Sequence, residues 1–254
     1  MYVTFLFLFL RIFVYVSNFL MRPSVKDIPM LTSVSQLGTP TVLINCAAAA
    51  INGQPLLSLS ANAFKKTIKT NLVAAFHTIQ VFLPGMLKAE NGGTIVTVSS
   101  VLGQLCAAGL SDYSASKAGL SALHRTLEAE LRQSGDDAKV RMLLVETGQM
   151  STPLFERIKT PNKFFAPVLE PVQVAQDIVS AIDNGKGGVI RLPAFAALVN
   201  WYAVLPAGVQ RLARYLSGID TAVAKASAGP VPQEKSASTS QPSSESDAEV
   251  VKAE

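Results

Sequence analysis

Apolar residues follow two patterns along this chain: short unbroken runs, and longer segments in which they recur every three or four positions. The unbroken runs predict strands that are buried on both faces, as in a parallel sheet. They span 41–45, 94–99, 140–145 and 188–192. The periodic segments predict helices, at 60–86, 111–133 and 171–183. Since strands and helices alternate, we expect an α/β fold, a Rossmann-like parallel sheet flanked by helices.

Residues that commonly cap helices mark the ends of the two longest periodic segments. Ser58 or Ser60 is expected to cap the start of the first helix with its hydroxyl. Ser111-Asp112 is expected to cap the second helix, which should stop before Gly135.

The sequence divides into five regions by composition. The largest, 41–192, holds the predicted strands and helices and is expected to form the Rossmann-like domain. The others are a hydrophobic segment at 1–22, a linker at 23–40, an apolar helical segment at 193–218 and a tail at 225–254. The tail is rich in Ser, Pro, Glu and Lys and poor in large apolar residues, so it is expected to be disordered.

The hydrophobic segment 2–21 is long enough to cross a bilayer. Arg11, near its middle, opposes insertion by roughly 2.5 to 3.5 kcal/mol, and the surrounding Phe and Leu residues offset that cost. Arg22 and Lys26 follow the segment, so the positive-inside rule places the rest of the chain in the cytosol. The segment is therefore a candidate membrane anchor, and a wrongly placed gene start is the alternative.

The apolar segment 193–218 carries aromatic residues, among them Trp201 and Tyr215. Pro193 and Pro206 interrupt it, so a single membrane span is not expected. The pattern is typical of a helix pair lying on a membrane surface, or of a lid over a substrate channel. A helix that contacts a second subunit is the simpler alternative.

Composition and charge narrow the range of partners. The chain is 49% hydrophobic and only 16% charged, with a net charge of +4. Its basic residues form no stripe with interleaved aromatic residues, so nucleic-acid binding is not expected. The two cysteines, Cys46 and Cys106, lack the spacing of metal ligands, so no metal site is expected.

One group of polar residues suggests chemistry. Tyr113 and Lys117 are four positions apart, so they share one face at the start of the second long helix. An ammonium beside a phenol favours the phenolate, and the phenol can then exchange a proton near neutral pH. Ser100 precedes Tyr113 by thirteen positions and could hold a substrate oxygen. A partly buried Tyr beside a solvated Lys is the alternative interpretation.

With Asn45, Ser100 and Gly148 at or just past predicted strand ends, the chain from 40 to 192 resembles the short-chain dehydrogenase/reductase family. Asn71 is a further match to the family pattern. The resemblance implies that Tyr113 is the general acid/base and that Ser100 holds the substrate oxygen. It implies that Lys117 binds the nicotinamide ribose and that Asn71 holds a water linking Lys117 to solvent. The pKa of a free tyrosine, about 10, would then have to fall to about 7, a change worth roughly 4 kcal/mol.

The same resemblance implies NADP or NAD as the cofactor, with NADP slightly favoured. Tyr113 and Lys117 would contact it on the nicotinamide side. The other residues assigned to the cofactor by resemblance are Asn45 and Ala47 near the adenine, and Gly148, Met150 and Thr152 near the nicotinamide and its phosphate.

The apolar C-terminal segment is similar to that of family members that act on retinoids, steroids or other lipids at membranes. The resemblance therefore implies an oxidoreductase that interconverts an alcohol and a ketone or aldehyde on a lipid-like substrate. In a eukaryote, its expected place is the endoplasmic reticulum or a lipid droplet, with the catalytic part facing the cytosol. A homodimer formed through the helices at 60–86 and 111–133 is a further analogy.

The chain also departs from the family pattern. The family begins with a strand, a Gly-rich turn and a helix whose amides receive the pyrophosphate. Here only Gly38 and Gly53 precede position 85, so the chain resembles an N-terminally truncated member that lacks the first βαβ portion. Ala48 and Thr147 also stand where the family has Gly and Pro.

Two hypotheses follow from these departures. In the first, the chain is an oxidoreductase as described above. In the second, it is a non-catalytic, membrane-associated remnant that cannot bind the dinucleotide and acts through contacts with partners. From the sequence we expect dinucleotide binding no tighter than millimolar.

Overall fold

The structure is a computed structural model that describes residues 40–155, 158 and 167–221. Within these residues four parallel strands form one sheet in the order β1-β2-β3-β4. The strands are β1 (Val42–Asn45), β2 (Gly93–Ser100), β3 (Val140–Thr147) and β4 (Gly188–Leu192). The predicted parallel α/β fold and its four strands are confirmed.

Six α-helices accompany the sheet in the described part of the chain, besides three short 3₁₀ helices at 56–58, 153–155 and 194–198. The α-helices are α1 (Ala61–Lys88), α2 (Leu102–Leu105), α3 (Ser111–Ser134), α4 (Pro171–Asp183), α5 (Val199–Tyr202) and α6 (Ala207–Ser217). The three predicted helices correspond to α1, α3 and α4. The short helix α2, directly after β2, was not predicted.

Both faces of the sheet are covered, as the unbroken apolar runs predict. On one face, α1 and α3 pack against alternate strand residues. This core contains Leu43, Ile79, Phe82, Met86, Ile95, Leu127, Leu131, Val140 and Met142. On the other face, α4 packs against the strand residues in between. That core contains Val96, Val98, Leu143, Val145, Val174, Ile178 and Ala181.

β1 lies at an edge of the four-stranded sheet, where apolar side chains are at risk of exposure. Val42 and Leu43 are nevertheless buried. Leu43 packs in the same core as Ile79 and Phe82 of α1, so the helix covers that side of the strand. Among the described residues β1 thus has a strand neighbour on one side only, and its apolar side chains are nevertheless not exposed.

The helix caps agree with the sequence in one case and differ in another. The hydroxyl of Ser60 accepts a hydrogen bond from the amide of Ala63 at 3.2 Å and caps α1. The residue before α3 is Leu110, which provides no side-chain cap, so the expectation for Ser111-Asp112 was wrong. Asp112 instead lies inside the first turn, where its Oδ1 accepts from the Tyr113 amide at 2.8 Å.

The predicted membrane anchor at 1–22 and the tail at 225–254 lie outside the described residues, as does the linker apart from residue 40. Within the described part, α1 is the single helix whose length and composition would suffice to cross a bilayer. Ile79, Phe82 and Met86 of α1 lie in the core, so packing against the sheet accounts for its apolar character.

Candidate active site

Three of the predicted catalytic side chains meet at the carboxyl edge of the sheet. Ser100 is the last residue of β2, and Tyr113 and Lys117 lie in the first two turns of α3. All three are buried, with at most 3% of their surface exposed. The Nζ of Lys117 lies 5.9 Å from the centre of the Tyr113 ring, and the Ser100 hydroxyl is close enough to the Tyr113 phenol to affect its pKa.

The neighbouring Ser99 faces the opposite side of the strand. Its hydroxyl donates to the Lys117 carbonyl at 3.0 Å and accepts from the hydroxyl of Ser121 at 2.8 Å. These bonds fasten β2 to α3. Ser100, by contrast, accepts from the Leu102 amide and donates to the Thr147 carbonyl, both at 3.2 Å, which holds it beside Tyr113.

Burial shifts the pKa of the Tyr113 phenol upward, away from the neutral range that the proposed chemistry needs. It raises the pKa of the phenol to about 12; the Ser100 hydroxyl lowers it in part, and Cys46 raises it further. The expected fall of this pKa towards neutrality relies on Lys117 together with a positively charged nicotinamide, so it stays a prediction. Removing the phenol from water outweighs the effect of its neighbours.

The same burial also shifts the pKa of Lys117. Its Nζ donates to the Val98 carbonyl at 2.9 Å. Burial lowers the pKa of the ammonium to about 8, and Cys46 opposes this shift. A lysine that titrates close to physiological pH is typical of functional sites.

Asn71 lies in a widened turn of α1. From Lys69 to Val73 the helix forms a π turn, a feature frequent at functional sites. The Asn71 Oδ1 accepts from the Ala49 amide at 2.7 Å, and its Nδ2 donates to the Ser116 hydroxyl at 2.8 Å. That hydroxyl donates to the Tyr113 carbonyl at 2.7 Å. Asn71 thus ties the loop after β1 to α3, and its expected role in holding a water stays a prediction.

The residues expected to bind a cofactor lie at the ends of the strands. Asn45 ends β1, and Ala47 follows it in the next loop. Gly148 follows β3, and its amide donates to the Leu192 carbonyl at 2.7 Å. Met150 forms a single parallel bridge with Leu169. The structure therefore brings Asn45 and the loop after β3 to the same edge of the sheet as Tyr113.

Buried polar atoms without a partner indicate that a ligand fits at this edge. Among the described residues, four buried side-chain atoms have no hydrogen-bond partner: Asn45 Nδ2, Ser111 Oγ, Ser114 Oγ and Thr152 Oγ1. Asn45 ends β1, Thr152 lies in the loop after β3, and the two serines flank Tyr113 in the first turn of α3. Buried polar groups are nearly always satisfied in folded proteins, so this grouping is what a polar ligand at the edge requires.

Two residues near Tyr113 did not stand out in the sequence. Cys46 is an exposed free cysteine, and its thiol interacts electrostatically with Lys117 and Tyr113. Desolvation by the surrounding protein raises the pKa of this thiol, and Lys117 lowers it in part. Asp112 is buried and accepts from Asn52 Nδ2 at 2.6 Å and from the Thr67 hydroxyl at 2.8 Å. The position of Asp112 beside Tyr113 was the only signal of its role in the sequence.

Apolar side chains surround the Tyr113 ring. Phe155 meets it edge-on, with ring centres 6.2 Å apart. The cluster around the ring also contains Ala107, Leu110 and, partly buried, Ile51, Leu102, Leu154, Ile158 and Ile219. A substrate that reaches Tyr113 therefore meets a mainly apolar environment.

Known proteins share this chain's sequence over its central part. The family model described as short chain dehydrogenase matches residues 24–163, more than half of the chain. The uncharacterized oxidoreductase TDA5 of Saccharomyces cerevisiae is 31% identical over 179 residues, which cover 70% of this chain and 54% of that protein. Retinol dehydrogenase 10-B of Danio rerio is 36% identical over 150 residues, 58% of this chain and 44% of that protein.

A bacterial relative and a solved structure extend the comparison. The (-)-trans-carveol dehydrogenase of Rhodococcus erythropolis is 34% identical over 168 residues, which cover 63% of this chain and 58% of that protein. The chain thus spans about half the length of the curated relatives it matches. The structure of 4-hydroxyisoleucine dehydrogenase complexed with NADH matches with a TM-score of 0.55 and 26% identity, covering 66% of this chain and 75% of that chain.

The matched range includes the sheet edge where Ser100, Tyr113 and Lys117 meet. On the extent of the family match and the parallel α/β fold, this chain belongs to the short-chain dehydrogenase family.

Proposed function

We propose that this protein is a nicotinamide-dependent oxidoreductase that interconverts an alcohol and a ketone or aldehyde, with Tyr113 as the acid/base. The observation that carries the proposal is the burial of Ser100, Tyr113 and Lys117 together at the carboxyl edge of the sheet. Open α/β sheets bind their ligands at this edge. Family membership supports the class of reaction.

Each of the three side chains has one chemical task in this proposal. Ser100 donates a hydrogen bond to the substrate oxygen and holds it beside the phenol. Tyr113 gives a proton to that oxygen during reduction and takes it back during oxidation. Lys117 stabilises the phenolate that remains after the proton has moved. A bound nicotinamide dinucleotide supplies the hydride donor or acceptor.

The raised pKa of Tyr113 has a consequence for this mechanism. A phenol with a pKa of about 12 is protonated at neutral pH and ready to act as an acid. Oxidation needs the phenolate, so it requires additional positive charge close to the ring. Lys117 and the positively charged form of the nicotinamide are the expected sources of that charge.

The cofactor is NADP or NAD, held by residues from three strand ends. Lys117 and Tyr113 face the nicotinamide ribose in this proposal, and Asn45 and Ala47 lie on the adenine side. Gly148, Met150 and Thr152 hold the nicotinamide and its phosphate. Support for the fit comes from the unpaired buried atoms of Asn45 and Thr152.

A lipid-like alcohol or carbonyl compound is the proposed substrate. The apolar cluster around Tyr113 suits such a molecule. Two relatives are named for apolar alcohols, retinol and carveol, which agrees with this environment.

We further propose that the chain is attached to a membrane by its hydrophobic segment 1–22 and faces the cytosol, at the endoplasmic reticulum or a lipid droplet. Homodimer formation through α1 and α3 completes the proposal.

The role of Tyr113 is tested by its conversion to phenylalanine. Tyr113→Phe keeps the ring and removes the only atom that can carry the proton. We expect turnover of retinol or carveol with NADP or NAD to fall by about 10²- to 10⁴-fold, the usual contribution of a positioned acid/base. Tyr202→Phe, which removes a phenolic hydroxyl from α5, serves as the matched control and should keep its activity. Unchanged turnover in Tyr113→Phe would remove this residue from the mechanism.

Calorimetric titration with NADH and NADPH separates the enzyme from the non-catalytic alternative. Micromolar binding supports the enzyme and overturns the expectation of millimolar binding drawn from the sequence. Binding of millimolar strength or weaker favours the remnant, because such a site would stay mostly empty at ordinary cofactor concentrations. The alternative is motivated by the scarcity of glycine before position 85.

A further inference from the structure

The segment from 198 to 216, which contains α5 and α6, exposes many large apolar side chains. They are Leu198, Trp201, Val204, Leu205, Val209, Leu212, Tyr215 and Leu216. Trp201 is 70% exposed and Tyr215 is 83% exposed. Monomeric soluble proteins rarely expose so many large apolar side chains together. We call this set the C-terminal apolar face.

The attachment of α6 directs the apolar face away from the protein. Arg214 donates from Nη1 to the Leu105 carbonyl at 2.5 Å and from Nη2 to the Cys106 carbonyl at 3.0 Å. It also forms an ion pair with Asp220. At about 100° per residue, Leu212 and Leu216 lie nearly opposite Arg214 around the helix. The side that binds the protein is therefore polar, and the side that faces outward is apolar.

The charged residues near the C-terminal apolar face indicate what kind of partner could cover it. Between Asp183 and Asp220 the sequence has no acidic residue, while Arg211 is exposed on α6 itself. Apolar side chains with Trp and Tyr among them, flanked by arginine without acidic residues, suit the headgroup region of an anionic bilayer. The apolar segment 2–21 of the same chain is long enough to cross such a bilayer.

We propose that the C-terminal apolar face lies on the surface of an anionic lipid bilayer. The face adjoins the candidate active site: Val199 of α5 packs with Val101, which directly follows Ser100, and Ile219 packs in the cluster around Tyr113. A lipid-like substrate leaving the bilayer would therefore enter beside Ser100. This last consequence rests on the proposed function, whereas the membrane contact does not.

The single tryptophan of the sequence makes the proposal testable without any assay of turnover. The full chain is incorporated into vesicles of phosphatidylcholine with a minority of phosphatidylserine. Brominated acyl chains quench Trp201 only if its side chain reaches the boundary between headgroups and acyl chains. We expect bromolipid to reduce the Trp201 emission by about twofold or more, because interfacial helices bury their apolar face to that depth.

Variants with one added carboxylate locate the contact. Leu212→Glu places a negative charge on the apolar face and should abolish the quenching by bromolipid, even where segment 2–21 keeps the chain on the vesicle. Val172→Glu is the matched control, since Val172 is 68% exposed on α4, outside the face. It should be quenched as strongly as the unaltered chain. Circular dichroism verifies that both variants are folded.

Other occupants give different results. If a second copy or the chain's own apolar segment covers the face, Trp201 is shielded from aqueous acrylamide and yet is not quenched by bromolipid. If nothing covers the face, acrylamide quenches Trp201 and bromolipid does not. Either result overturns the proposal. Because no cofactor or substrate is present, a failure here leaves the proposed oxidoreductase activity to be decided separately.

Discussion

The surroundings of Tyr113 and the C-terminal helices depart from the usual distribution of side chains in opposite ways. Around Tyr113, polar side chains are buried, among them Asn71, Asp112 and Lys117. On α5 and α6, apolar side chains such as Trp201 and Leu212 are exposed. Neither arrangement stabilises the isolated chain, because buried polar groups lose hydration and exposed apolar groups gain no burial.

The two regions differ in how this unfavourable arrangement is maintained. Around Tyr113, side-chain hydrogen bonds join α1, α3 and the loop after β1, so Asn71 and Asp112 are fixed in place. The helix α6 is attached on the side opposite its apolar face, by Arg214 and by the bond from the Ala108 amide to Asp220. A rigid polar site suits a ligand that must be oriented for chemistry. A loosely attached apolar face suits a fluid partner that imposes no fixed geometry.

The largest expected effect comes from breaking the polar site at Asp112. Asp112→Ala removes the acceptor for Asn52, for the Thr67 hydroxyl and for the Tyr113 amide. Buried donors left without a partner cost about 1–3 kcal/mol, so we expect the free energy of unfolding to fall by about 3 kcal/mol. Denaturant unfolding measures the change.

Ser111→Ala provides the matched control for Asp112→Ala. Ser111 precedes Asp112 in the chain, and its buried hydroxyl has no partner among the described residues. Its removal should leave stability unchanged or slightly higher. Equal losses in the two variants would show that the hydrogen bonds of Asp112 do not hold this region together.

A smaller change in the free energy of unfolding, this time an increase, is expected when Lys117 is replaced by an uncharged residue. Burial lowers the pKa of Lys117 from 10.5 to about 8, so the unfolded chain binds the proton more tightly than the folded chain. Stability therefore rises as pH increases from about 8 to 10.5, and the full cost of burying the charge is present below pH 8. That cost is about 3 kcal/mol, of which the hydrogen bond to Val98 offsets about 1 kcal/mol.

Lys117→Met should therefore raise the free energy of unfolding by about 2 kcal/mol at pH 7. The advantage should shrink as the pH rises towards 10.5. Urea unfolding of both proteins at a series of pH values measures the difference. Lys65→Met, at an exposed position of α1, should show no such gain. A loss of stability in Lys117→Met at pH 7 would mean that the ammonium stabilises the fold.

The sequence was sufficient for the framework and insufficient for the electrostatics of the site. Unbroken apolar runs located all four strands, because a parallel sheet is buried on both faces. The spacing of Tyr113 and Lys117 placed both on the inward face of α3, because a helix repeats every 3.6 residues. The degree of burial depends on contacts between distant segments, such as Asn71 with Ala49. The direction of the Tyr113 pKa shift therefore required the structure.

For the apolar segment 193–218, too, the sequence predicted part of the arrangement and the structure was needed for the rest. Its composition and its two prolines predicted a helix pair but left a membrane surface, a lid and a subunit contact as alternatives. Only the position of Arg214 on the inner side of α6 shows that the apolar face points outward. The partners of Arg214 are main-chain carbonyls more than a hundred residues earlier in the chain. No local pattern in the sequence can reveal such a contact.

The smallest expected effect concerns this attachment. Arg214→Ala removes the ion pair with Asp220 and the bonds to the Leu105 and Cys106 carbonyls. Since the Arg214 side chain is partly exposed, solvent screening limits the expected loss of global stability to about 1 kcal/mol. Hydrogen exchange should rise in α6 and remain unchanged in α3, because only the outer helix is released. Arg211→Ala, an exposed arginine on the same helix, should alter neither quantity. If Arg214→Ala lowered protection in α3 as strongly as in α6, the two regions would form one cooperative unit, and the contrast between a rigid site and a loosely attached face would be wrong.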